Sequence, residues 1–163
     1  MGKYGLTPYY IEKFEAGLEY QDYVADKLRK SDPCIILAPY SSRKYQNEHG
    51  ESASGIEIKY DMRMKETGNL YFEVAEKSNA DLLEYTASGI MRNDNTWLYL
   101  IGDYDQAFLF SKSQLRQIYL DEKGYAKRGI RKKQTPTSIG FTYPIQNALK
   151  YLCIRHYIFS QEK

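Results

Sequence analysis

The sequence predicts a mixed α/β (α+β) domain with one mixed central β-sheet flanked by helices. Three observations carry that reading. An apolar repeat at helical spacing opens the chain, several short runs with period-two alternation follow, and helical segments separate and close those runs. At 163 residues the chain fits a single domain over 1–163, with 42% hydrophobic and 27% charged residues.

The elements follow in order. Thr7 before Pro8 reads as an N-cap with proline at the first helical position, and Ile11, Phe14, Leu18, Ala25 and Leu28 recur at helical spacing, predicting a helix over 8–30. Ser31-Asp32-Pro33 stops it, because the residue before proline is pushed out of the helical region. The apolar run 34–37 reads as a strand. After a polar stretch over 41–54, GIEIKYDMRM and NLYFEVAEK both alternate, and the Gly68-Asn69 step between them predicts a hairpin. Residues 97–101 and 107–110 form a second strand pair, 113–120 a helix, 138–143 a last strand, and 145–159 a closing helix after Pro144.

Composition excludes several classes. No apolar run approaches the roughly 20 residues that cross a bilayer, so no membrane association is expected. MGKYGLTPYYIEKFE lacks the apolar stretch of a secretory signal, which gives a cytoplasmic expectation. Cys34 and Cys153 sit in apolar runs and read as reduced core thiols, and two His with two Cys are too few for a zinc site. Seventeen tyrosines supply amphipathic rings for core and surface alike. The net charge of +2 hides a split: residues 1–111 carry −6, residues 112–133 carry +6 and the remainder +2.

In the expected hairpin, Glu57, Lys59, Asp61, Glu73 and Lys77 share one face, with Asp61 opposite Glu73 and Glu57 opposite Lys77. Gathered carboxylates repel unless neutralised, and hard oxygen donors with no Cys or His suit Mg²⁺ or Mn²⁺. A lysine two residues from a carboxylate can orient a water or balance charge on a phosphoryl group. A solvated strand face with internally paired charges is the alternative from spacing alone.

Glu57-Ile58-Lys59 resembles the (D/E)XK half of the PD-(D/E)XK nuclease superfamily. The wider stretch GESASGIEIKYDMRMKETGNLYFEVAEKS, continued by SGIMRNDNTWLY, resembles phage and bacterial proteins of that type, in which an E-x-K-x-D strand is followed by TGN and a further glutamate. The resemblance implies a restriction endonuclease-like core, Mg²⁺ (or Mn²⁺) as cofactor, DNA as partner and phosphodiester hydrolysis as activity. It implies Glu51, Glu57 and Lys59 as catalytic residues, with Glu51 and Glu57 on the metal and Glu19, Asp61 or Glu73 completing its shell. The family's usual Pro-Asp is missing: Glu51, in Gly50-Glu51-Ser52, takes the place of the first acid, with Glu48 as a second option. A rival alignment uses Asp61 and Glu73 as the two acids and leaves Ala75 at the lysine position. Glu19, on the first helix, also belongs to an acidic stripe typical of a solvated face.

Lys127, Arg128, Arg131, Lys132 and Lys133 crowd a segment with glycine hinges that can track a phosphate backbone, with Tyr125 available to stack on a base; a solvated, highly charged loop is the alternative. A homodimer is one expected arrangement if both strands of a duplex are cut, since that commonly needs two active sites. The other functional classes are a non-catalytic DNA-binding module, and a phage structural or interaction protein that keeps the nuclease fold.

Overall fold

The computed structural model describes residues 8–32, 35, 37 and 43–159. Helix α1 (Pro8–Ser31) and α2 (Arg43–His49) precede strand β1 (Ile56–Tyr60), the short α3 (Met64–Thr67), β2 (Asn69–Glu76) and β3 (Thr86–Ala87). A 3-10 turn over Gly89–Met91 leads to β4 (Leu98–Gly102), β5 (Gln106–Ser111) and α4 (Lys112–Leu120). Then come α5 (Tyr125–Arg128), β6 (Arg131–Gln134), β7 (Ser138–Pro144), α6 (Ile145–Tyr151) and β8 (Arg155–Ile158). The mixed α/β class is as expected, but the strands form two four-stranded sheets, ordered β1-β4-β5-β8 and β3-β2-β7-β6.

The first sheet is mixed: β1 runs parallel to β4, with Glu57 beside Tyr99 and Lys59 beside Ile101, and the remaining pairs are antiparallel. Both of its faces are covered, which is why LYLIG in β4 is buried throughout and reads as a continuous apolar run. On one face Tyr20, Val24 and Leu28 of α1 pack on Ile56, Leu98, Leu100 and Leu109. On the other, Tyr99, Ile101, Phe108 and Phe110 meet Leu70, Phe72, Phe141 and Tyr143 of the second sheet. Phe72 sits at the centre of this layer, edge-on to Phe110 at 5.3 Å and 5.3 Å from Phe141.

The expected hairpin is overturned. β1 pairs with β4 and β2 pairs with β7, so the two alternating runs belong to different sheets. The segment between them winds into α3 instead of a two-residue turn. Gly68, at φ 65°, caps that helix, and its amide donates to the Met64 carbonyl at 2.9 Å. The closing helix is shorter than expected: it stops at Tyr151, the Cys153 amide folds back to the Ala148 carbonyl at 2.8 Å, and 155–158 becomes a strand on β5. The polar stretch 41–54 holds α2, and the basic segment holds α5 and β6 where a hinged loop was expected. The Thr7 cap, Cys34 and Ile36 lie outside the described residues, while Ile35 and Leu37 pack beside α1 with no strand pairing.

Candidate active site

β1 is an edge strand, and its alternation decides what the edge presents. Ile56, Ile58 and Tyr60 turn toward α1, so Glu57 and Lys59 turn to the opposite face, beside the inter-sheet core. The loop before β1 brings Glu51 to the same place. Ser52 pins that loop, its Oγ accepting from the Ile56 amide at 3.0 Å and donating to the Ile56 carbonyl at 2.8 Å. Asn95 holds it from outside, donating to the Ser52 carbonyl at 2.8 Å.

The result is a compact cluster. Lys59 Nζ lies 3.0 Å from Glu51 Oε1 and 2.9 Å from Glu57 Oε1. Glu51 Oε2 accepts from the Ile58 amide and from Gln21 Nε2, both at 3.3 Å. Glu57 is 0% exposed, yet neither of its oxygens has a hydrogen-bond donor in good geometry; Arg92 Nη2 stands 3.8 Å from Oε2. Arg92 in turn donates to Asp94 at 2.6 Å, and Lys112, 2% exposed, donates to Asp94 at 2.6 Å and to the Arg92 carbonyl at 3.0 Å. Signs therefore alternate along one chain, Lys112, Asp94, Arg92, Glu57, Lys59, Glu51.

Burial raises the Glu51 carboxyl above the usual glutamate range, and Glu57 adds to that against the pull of Lys59 and Arg92. Burial works against the Lys59 charge, but Glu51 and Glu57 outweigh it and hold the ammonium well above the ordinary lysine value. Lys59 is therefore a fixed cation and hydrogen-bond donor, not a base. Asp94 resists its burial through Lys112 and Arg92 and is held down to about 2. Burial raises Glu76, with Glu73 adding to the rise and Lys59 and Arg92 opposing it, so Glu76 lies within electrostatic reach of the cluster.

The remaining expected ligands divide. Glu73 accepts from Ser88 Oγ at 2.7 Å and Ser138 Oγ at 2.9 Å, so both its oxygens are occupied on the outer side of β2. Asp61 is not in the cluster and does not face Glu73: one oxygen accepts from the Tyr71 amide at 2.9 Å, the other from the Arg63 amide at 3.1 Å. It ties the end of β1 to the start of β2. Lys77, expected opposite Glu57, donates instead to the Ala80 and Leu82 carbonyls. Glu48 sits on α2 beside His49. Glu19 is exposed near Tyr104, while Gln21, 200° further round α1, is the helix residue that reaches Glu51. Sequence reading missed Gln21, Arg92, Asp94 and Lys112; the available signal was Arg92 and Asp94 within SGIMRNDNTW, a stretch of the resemblance that ends at β4.

The donors fit a hard divalent cation. A fully buried carboxylate that has no aligned hydrogen bond, a second carboxylate beside it and the Ile58 carbonyl are oxygen ligands of the kind Mg²⁺ takes. Among the described residues no group of three or more His, Cys, Asp or Glu forms a ligand set, but Mg²⁺ is commonly held by one or two carboxylates together with water and substrate phosphate.

The basic residues lie on the second sheet and at its rim. In edge strand β6, Arg131 and Lys133 alternate with Lys132, and all three are exposed. Lys132 pairs with Glu122 and lies 5.6 Å from the Tyr119 ring, on the core side. Arg131 and Lys133 take the outer side, in rows with Thr142 and Tyr71, and with Gly140 and Glu73. Lys127 is exposed on α5, and Arg128 pairs with Asp121 at 2.8 Å. Tyr125 is not free to stack on a base, because its hydroxyl donates to the Tyr119 carbonyl and its ring packs on the core.

Among the described residues no helix is long and apolar enough to cross a membrane. Comparison of the chain with protein-family models, curated proteins and solved structures finds no match in any of the three.

Proposed function

We propose that this protein is a Mg²⁺- or Mn²⁺-dependent deoxyribonuclease of the PD-(D/E)XK type, acting on phage or mobile-element DNA in the cytoplasm. The observation that carries the reading is the cluster of Glu51, Glu57 and Lys59, three residues from a loop and an edge strand, centred on a buried carboxylate that is ion-paired with Lys59 but has no aligned hydrogen bond. It also agrees with the sequence resemblance at the same three positions.

Glu51 and Glu57 would hold the metal, with the Ile58 carbonyl beside them. When bound, such an ion lowers the pKa of a coordinated water and offsets charge on the phosphoryl oxygens. Lys59 stays protonated, so it cannot take the proton of the attacking water. Its role is to orient that water and to stabilise negative charge as the phosphorus–oxygen ester bond breaks. Gln21 steadies Glu51, and Arg92 supports Glu57 from the rear through its pairing with Asp94. Arg131 and Lys133 lie on the outer face of the second sheet, two strand spacings or about 10 Å from Tyr71 and Glu73 in their respective rows, and would hold the DNA backbone with Lys127 and Arg128.

The test is cleavage of supercoiled plasmid and of oligonucleotides with Mg²⁺ or Mn²⁺, with EDTA as control. Metal-dependent nicking lost in Glu57→Gln and Lys59→Ala supports the reading. One observation favours a second: the chain's own three cations and three anions already alternate to neutrality. A non-catalytic DNA-binding protein with this core would bind DNA in a salt-sensitive way, cut nothing, and show no metal-induced rise in Tm.

A further inference from the structure

The loop between Glu51 and Glu57 also fixes an aromatic ring. Trp97, the one tryptophan in the chain, lies just before β4 and is 61% exposed. Its indole Nε1 donates to the Ser54 carbonyl at 2.9 Å. Its own amide and that of Leu98 both donate to the Gly55 carbonyl, at 2.9 and 3.1 Å, and its carbonyl accepts from the Lys112 amide at 2.9 Å. The segment leading to it is pinned as well, Asn95 donating to the Ser52 carbonyl at 2.8 Å and the Thr96 amide to Asp94 at 3.0 Å. Gly55, at φ 69°, lets the ring come this close: a Cβ there would stand 2.4 Å from Trp97 Cδ1 and 2.7 Å from the Asn95 carbonyl oxygen.

A single apolar ring on a surface needs no explanation by itself. This one is held by its own hydrogen bond, by a glycine that makes room for it, and by the loop that joins two candidate metal ligands. Among the described residues, segments 50–57 and 92–97 hold no other exposed large apolar side chain, so the ring lacks the apolar surround that the core of a protein–protein interface requires. Because Ser54 occupies the indole N–H, what remains for a ligand is the π-system. Gly55 is two residues from Glu57, about 7 Å at strand rise. A phosphate held at Glu51 and Glu57 therefore brings the base of an adjoining nucleotide to the indole.

We propose that Trp97 is the stacking platform for an unpaired DNA base next to the scissile phosphate, an inference that rests on the nuclease reading of the Glu57 cluster. Bases inside a duplex are stacked on one another and closed to the ring, whereas single strands and the locally unpaired stretches of a supercoiled plasmid offer an open face. Aromatic stacking accepts any base, so Trp97 selects unpaired strands without selecting sequence. With the indole already fixed by Ser54, stacking costs little side-chain entropy.

Because Trp97 is the one tryptophan, intrinsic fluorescence reports this ring alone. The experiment is titration of the full chain, in EDTA so that metal-dependent cleavage is blocked, with a short single-stranded oligonucleotide and with the matching blunt duplex. Binding is followed separately by the anisotropy of end-labelled DNA. The single strand should quench Trp97 saturably and in step with the anisotropy, and the duplex should quench it less than half as much at saturation. Trp97→Ala should weaken single-strand binding at least fivefold, and by more than it weakens duplex binding, with Trp97→Phe recovering most of the loss. Quenching in a chain that cuts no DNA with Mg²⁺ or Mn²⁺ would support the stacking and overturn the nuclease reading alone. Cleavage by a chain whose Trp97 is not quenched at saturating single strand, or single-strand binding unchanged in Trp97→Ala, would overturn this inference and leave that reading standing. Absence of binding to either form of DNA would overturn both.

Discussion

Glu57 is the residue on which most of the site's physics converges. A fully buried carboxylate is costly unless it is paired, and here its pairing comes from Lys59 at 2.9 Å and Arg92 at 3.8 Å. Glu57→Gln keeps the shape and removes the charge, so it should abolish metal-dependent cleavage while the far-ultraviolet circular dichroism stays unchanged. Lys59→Ala should retain the fold and lose cleavage by about 10²-fold or more, the scale of one donor to a developing oxyanion. Asp94 belongs to the same chain of charges. Its carboxyl titrates near 2 in the folded state against 3.8 for an unperturbed aspartate, so its stabilisation is complete above about pH 4 and lost as pH falls through 2. Being 1% exposed, it should contribute about 2 kcal/mol at neutral pH; Asp94→Asn should cost that much in urea melts at pH 7 and progressively less toward pH 2.

At the scale of elements, the strand that carries the site is where sequence and structure agree most closely, and its partner is where they part. IEIKY announces a strand with Glu57 and Lys59 on one face, because side-chain alternation is local. Pairing is not local. The choice between a β1–β2 hairpin and a parallel β1–β4 ladder depends on the burial of LYLIG between two layers, which appears only once α1 and the second sheet are in place. The same limit explains Asp61, which reads as a cluster member by parity but is drawn away to the Tyr71 and Arg63 amides. Asp61→Ala should therefore cost about 1–2 kcal/mol in stability, from two lost amide partners, and leave the metal-dependent rate of the folded protein within about threefold of wild type. Glu51→Ala should show the opposite pattern, with the rate lost. Gln21 was hidden for a related reason: a helix with both an acidic stripe and an apolar stripe does not reveal which intermediate position will meet a loop thirty residues away.

At the scale of the whole molecule, the two charged features lie on different sheets. The charge-balanced cluster around Glu57 sits at the edge of the first sheet, and the basic strand β6 sits at the edge of the second. The +6 of residues 112–133 was legible in the sequence, but its division was not. Strand alternation sends Arg131 and Lys133 outward and Lys132 to Glu122, and Arg128 turns to Asp121. Arg131→Ala and Lys133→Ala should each weaken DNA binding across all sequences and lower the slope of log K against log salt by about 0.9, whereas Lys132→Ala should change it less. The measurement that bears most directly on the central claim is a plasmid assay comparing wild type, Glu57→Gln and Lys59→Ala with Mg²⁺, Mn²⁺ and EDTA. The account predicts nicking by the wild type in either metal, none in EDTA, and none by either variant. Wild-type protein that binds DNA but leaves it intact in both metals, or variants that cut as wild type does, would contradict it.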